Sequence, residues 1–79
     1  MEATPSQLDP RERAIVLKLK EMRMAKGFSA TALGAKIKVD RSTITHMEGN
    51  RSRPTLWLLL RISEGIGVKL SEILDREGC

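Results

Sequence analysis

Residues 28–47, FSATALGAKIKVDRSTITHM, read as two short helices joined by a tight turn. Ser29 is a natural N-cap for the first helix and Asp40 for the second, because a short oxygen-bearing side chain can satisfy a free N–H of the opening turn. In the first helix Ala32, Leu33 and Ile37 form the apolar positions, and in the second Ile44 and Met47 do. Gly34 lies between them in mid-helix, where glycine costs about 1 kcal/mol of helix propensity relative to alanine. That cost points to packing: a position without a side chain, one turn before the Lys38-Val39 bend, lets the following helix cross close by. With Ile44 and Met47 inward, the outward face of the second helix carries Arg41, Ser42, Thr45 and His46. So short a helix has little apolar area for a partner, and this face suits the polar edges of nucleic-acid bases instead.

The sequence on either side places three more helices. Asp9 is an N-cap followed by Pro10 at the first helical position, and Glu12 stands three residues after the cap, as in a capping box. Ile15, Val16, Leu19 and Met22 then recur at helical spacing until Gly27, with Lys26 favourable at the C-terminal end. Asn50, which tolerates the left-handed conformation, ends the helix that starts after Asp40. Arg51-Ser52-Arg53-Pro54 is a basic loop, Thr55 caps a fourth helix that Gly67 terminates, and Ser71 caps a short fifth helix with Ile73 and Leu74 on its apolar face. The expected organisation is a loose arm over residues 1–8, one domain over residues 9–75 and a polar tail over residues 76–79. The expected fold class is all-α.

Composition bounds the function. Seventy-nine residues make one small domain with a marginal core unless helix packing is efficient or a second subunit adds buried area. The chain is 41% hydrophobic, yet has one Phe, one Trp and no Tyr, so the core is aliphatic, which suits helices better than a sheet. Fourteen Lys and Arg against ten Asp and Glu leave a formal charge of +4, a mild electrostatic footprint of the kind nucleic-acid binders carry. Cys79 is the sole cysteine, so no intrachain disulfide forms, which fits a reducing cytoplasm. No metal-ligand cluster, catalytic triad or paired-carboxylate arrangement is recognisable, and no segment has the length to span a bilayer. The expectation is therefore a cytoplasmic protein that is not an enzyme and needs no metal, cofactor or small-molecule ligand.

From about Ile15 to Leu74 the chain resembles the Cro/C1-type (XRE) helix-turn-helix family of small phage repressors and restriction-modification controller proteins. The resemblance rests on LKLKEMRMAKGFS, on LGAKIKVDRSTITHME, on the basic loop closing at Pro54 and on LLLRISEGIGVKLSEIL. It implies a compact five-helix bundle of the lambda-repressor-like type, with helices 2 and 3 as the helix-turn-helix. It further implies an architectural ion pair between Arg23 and Glu48, linking helix 1 to the end of helix 3. Two positions depart from the family pattern: Ala30 stands where Gln is usual, and Lys38 stands where the turn often has Gly. A lysine at positive φ is strained, so the turn either differs slightly or is stabilised by its neighbours.

The expected partner is double-stranded DNA, with Arg41, Ser42, Thr45 and His46 as the base-reading set. Arg41, in the first turn, can bind guanine O6 and N7 in bidentate fashion or clamp a phosphate. Ser42 and Thr45 approach closely but discriminate weakly, Thr45 through its methyl group against a thymine methyl; His46 can donate to guanine or phosphate and gains in either contact when protonated. Phosphate contacts are expected from Ser29, Thr31, Thr43, Arg51 and Arg53, because helix N-termini and loop arginines suit phosphate oxygens.

Trp57 and Leu58 follow Leu56 at positions where the family is usually polar, so something beyond one buried face must cover part of this helix. Family members commonly pair through helices 4 and 5, which implies a homodimer whose interface includes Leu58, Ile66, Val68, Leu70 and Ile73, with Trp57 packed under the arm or beside the DNA backbone. A two-fold dimer would read a pseudo-palindromic operator with half-sites about 34–36 Å apart. The overall expectation is a sequence-specific transcriptional regulator. An alternative is a protein-binding adaptor, such as an antitoxin component, using Trp57 and Leu58; an RNA binder using the basic loop is less suited, since the chain lacks an aromatic stacking platform.

Overall fold

In the computed structural model, residues 9–76 are described and form five helices: α1 (Pro10–Ala25), α2 (Ala30–Ile37), α3 (Arg41–Glu48), α4 (Leu56–Ile66) and α5 (Leu70–Arg76). The expected arm over residues 1–8, and residues 77–79 of the expected tail, lie outside the described residues. Helix α5 extends through Arg76, one residue past the expected domain end.

Local sequence sets most of the boundaries. The Asp9 carboxylate accepts from the backbone N–H of Arg11, and Pro10 opens α1 where its missing N–H is no loss. Glu12 does not reach back to the cap; its carboxylate is taken by Arg53 instead. Ser29 accepts from the Ala32 N–H and Thr55 from the Leu58 N–H, as expected of caps. Asp40 opens α3 through its backbone carbonyl, which accepts from Thr43, and its side chain makes no capping bond. Ser71 lies inside α5 rather than before it, since that helix already starts at Leu70.

The core is aliphatic and continuous. Ile15, Val16 and Leu19 from α1 meet Leu33 and Ile37 of α2, Ile44 and Met47 of α3, Leu58, Ile62 and Ile66 of α4, and Leu70 and Ile73 of α5. Ala32, assigned to the apolar face of α2 by spacing, is exposed. Helix α4 approaches α2 through Gly65, where a Cβ would lie 2.6 Å from Ile37 Cγ2 and 2.8 Å from Leu33 Cδ1. Two lysine and arginine side chains stitch the same seam: Lys36 Nζ donates to the Gly65 carbonyl at 2.8 Å, and Arg61 Nη2 donates to the Ile37 carbonyl at 3.1 Å.

Candidate nucleic-acid interface

Helix α3 presents its outer face because its inner face is anchored on both sides. Gly34 provides the close approach: a Cβ built there would lie 2.5 Å from the Val39 carbonyl oxygen and 3.6 Å from Ile44 Cδ1. The turn needs this contact, since the Gly34 carbonyl also accepts from the Val39 N–H at 2.9 Å. Lys38 takes φ 61° and ψ 47°, a left-handed conformation despite its side chain. The neighbours stabilise it, with its backbone N–H bonded to the Gly34 carbonyl. Asn50 at φ 64° closes the other end of α3, where the Arg51 N–H returns to the His46 carbonyl at 2.8 Å.

The C-terminal end of α3 is tied to α1 by a buried ion pair. Arg23 Nε donates to Glu48 Oε2 at 2.8 Å and Nη2 donates to Oε1 at 2.9 Å, while Nη1 donates to the Phe28 carbonyl at 2.6 Å. Arg13 adds a bond from Nη1 to the Glu48 carbonyl at 2.9 Å. The helix is thus fixed by packing along its length and by charge at its end.

With α3 fixed, Arg41, Ser42, Thr43 and His46 are exposed, and Thr45 is half-buried. The Thr45 hydroxyl donates to the Ser42 carbonyl at 3.2 Å, so its proton is engaged within the helix. Ser29 and Thr31 are exposed at the start of α2, and Arg51 is exposed in the loop after α3. Arg53 differs from the rest of the expected phosphate set: its Nη2 donates to both carboxylate oxygens of Glu12, at 2.9 and 2.8 Å. Sequence spacing could not find this pair, because the partners are 41 residues apart and meet only when α1 packs beside the loop. The two groups answer each other electrostatically, and the Glu12 carboxylate raises the Arg53 pKa from its ordinary value.

The residues expected at a subunit interface are for the most part buried within the single chain. Leu58, Ile66, Leu70 and Ile73 are core residues of the single chain, each less than a tenth exposed, and only Val68 is partly accessible. Their side chains are spent in closing α4 and α5 onto α1 and α2. The apolar surface left over is Leu56, Trp57 and Leu60 on one face of α4, with Trp57 59% exposed, together with Leu17 and Met24 on α1. Among the described residues no group of His, Cys, Asp and Glu is arranged to hold a metal ion, and no helix is long and apolar enough to cross a membrane.

Five helices with α2 and α3 joined by a left-handed turn, and α3 held with a polar face outward, define a helix-turn-helix domain. The chain belongs to the helix-turn-helix family, whose profile matches residues 19–73. Among solved structures it is similar to the restriction-modification controller protein C.Esp1396I, both as the wild-type protein and as a tetramer in complex with its natural 35 base-pair operator. Each comparison gives 26% identity and a TM-score of 0.78, covering 89% of this chain and 96% of that one. The clp gene regulator ClgR from C. glutamicum shares the fold, with a TM-score of 0.75 at 20% identity over 96% of this chain and 95% of that one. No curated protein sequence is a significant match. The fold is therefore that of DNA-binding regulators, and the described residues of this chain build the same scaffold.

Proposed function

We propose that the protein is a sequence-specific regulator of transcription that binds double-stranded DNA as a homodimer, placing α3 in the major groove. The observation that carries this reading is the outer face of α3: Arg41 and His46 are exposed and engage no other described group, on a helix fixed at both ends. Because the helix is fixed, little backbone ordering is left for binding to impose, and the unpaired side-chain donors of Arg41 and His46 remain available to base edges. Arg41 in the first turn is the principal reader, Ser42, Thr45 and His46 add contacts, and Ser29, Thr31, Thr43 and Arg51 hold phosphates. Arg53 joins that phosphate set only by leaving Glu12.

The homodimer pairs through the exposed stripe Leu56, Trp57 and Leu60 and the accessible edge at Val68, with Leu58, Ile66, Leu70 and Ile73 as the buried support beneath it. The structurally similar C.Esp1396I is a tetramer on its operator, which supports self-association of this chain. Two α3 helices would then read pseudo-palindromic half-sites about one helical turn apart.

Selection from randomised duplex DNA at near-physiological salt, run with the wild type and Arg41→Ala, tests the reading. The expected outcome is an inverted repeat for the wild type, with preference at one base pair per half-site relaxed by about 1–3 kcal/mol in the variant. If no sequence is enriched and binding is weak and salt-sensitive throughout, the exposed α4 stripe becomes the functional surface and the protein is an adaptor of the antitoxin kind.

A further inference from the structure

The Glu12–Arg53 pair joins two elements far apart in sequence. Arg53 belongs to the basic loop that follows α3, and Glu12 lies in the first turn of α1 beside it. Both Glu12 oxygens are taken by one guanidinium nitrogen, Nη2. Asp9 lies near enough to act electrostatically on Arg53 as well, and the Asp9 carboxylate is itself bonded to Arg11. A shallow cleft lined by Asp9, Arg11, Glu12, Ile15 and Arg53 marks the place where these charges converge. Arg51, two residues away in the same loop, is exposed and has no such partner among the described residues.

We propose that Glu12 is a specificity-determining residue that acts through Arg53, withholding this arginine from DNA that is not correctly seated. The inference rests on the DNA-binding reading above. A guanidinium already bonded to a carboxylate gains little by exchanging it for a phosphate, since one charge-assisted hydrogen bond replaces another. The exchange is favourable only when the phosphate is delivered in good geometry, and base contacts along α3 provide that on the operator alone. On random duplex Arg53 stays with Glu12, so the loop presents one cation fewer. The withheld cation lowers affinity for non-operator DNA more than for operator.

The test is a double-mutant cycle read by affinity and salt dependence on random duplex and on the selected duplex, using wild type, Glu12→Gln, Arg53→Gln and the double variant. One added phosphate contact steepens the slope of log K against log salt by about 0.9 and strengthens binding roughly three-fold at moderate salt. Glu12→Gln is expected to show that gain on random duplex and a smaller one on the selected duplex, so the ratio between them falls. Arg53→Gln alone is expected to leave random-duplex binding near wild type, yet to abolish the gain when combined with Glu12→Gln. Glu72→Gln, an exposed acid on α5, changes net charge equally and is expected to leave the ratio unchanged. Glu12→Gln binding random duplex no better than wild type overturns the proposal, as does an equal gain from Glu72→Gln or a gain that persists without Arg53. If selection yields no operator, the DNA-reading function fails first; if it yields one and the cycle is flat, only the role of Glu12 fails.

Discussion

Arg23 and Glu48 face each other as a two-bond fork, Nε to Oε2 at 2.8 Å and Nη2 to Oε1 at 2.9 Å, with side chains only 10% and 7% exposed. The pair ties the end of α3 to α1, and the third guanidinium nitrogen reaches the Phe28 carbonyl that precedes α2. One side chain thereby fixes both halves of the helix-turn-helix against the first helix. Arg23→Ala leaves Glu48 desolvated and unpaired, and is expected to cost about 3–5 kcal/mol in chemical denaturation. An apolar pair at both positions is expected to recover much of that loss, since it removes the stranded charge. A cost below about 1 kcal/mol for Arg23→Ala, the range of exposed pairs, would show the pair to be solvated.

Gly34→Ala adds helix propensity worth about 1 kcal/mol but drives a methyl group against the Val39 backbone oxygen. Backbone gives way less readily than the end of a side chain, so a net destabilisation of about 1–3 kcal/mol is expected. Because the strain falls on the turn that aims α3, DNA affinity is expected to fall by more than the residual folded fraction explains. Thermal unfolding and binding measured on the same samples separate the two.

Lys38 holds a left-handed conformation without being glycine or asparagine. Lys38→Gly is expected to relieve about 1 kcal/mol of backbone strain, part of which the greater freedom of the unfolded chain takes back. A small rise in the midpoint of denaturation is expected, with binding unchanged apart from the loss of one positive charge. A marked destabilisation would mean that the lysine side chain has a partner of its own.

The Asp9 pKa is lowered to about 2, chiefly by the hydrogen bond from the Arg11 side chain and then by the Arg11 backbone N–H. Because the folded value lies below the ordinary 3.8, the stability linked to Asp9 is present above that value and is lost as pH falls toward 2. An NMR titration is expected to place the Asp9 carboxyl midpoint near 2. Arg11→Gln is expected to move it back toward 3.8, while a midpoint near 3.8 in the wild type would mean that the cap is not formed in solution.

Trp57→Gln and Leu60→Gln remove exposed apolar area from α4 without touching the core. Each is expected to weaken self-association by about ten-fold or more in sedimentation equilibrium while leaving the melting of the monomer almost unchanged, since surface substitutions away from packed features cost little. Leu58→Gln, by contrast, is expected to unfold the chain, because that side chain is only 5% exposed.

Much of the architecture was legible in local sequence. Pro10, Ser29, Thr55 and the apolar spacing of Ile15, Leu19, Leu33, Ile37, Ile44 and Met47 identify helices, because caps and periodicity act within one or two turns. Gly34 announced a close crossing, and the outward face of α3 followed from its inward one. The reading of α4 and α5 was less complete. Periodicity says that an apolar side chain needs cover without saying what supplies it, and the assignment of Leu58, Ile66, Leu70 and Ile73 to a subunit interface rests on resemblance alone.

The sequence by itself determined the helices, their order, the turn between α2 and α3 and the face of α3 that points outward, since each depends on neighbours a few residues apart. Only the tertiary structure decided which α4 and α5 side chains close the core, leaving Leu56, Trp57 and Leu60 outside. It also decided that Glu12 meets Arg53 rather than its own cap. Both outcomes depend on how the helices are arranged in space, and a contact between residues 41 positions apart has no signature in the chain until packing brings its ends together.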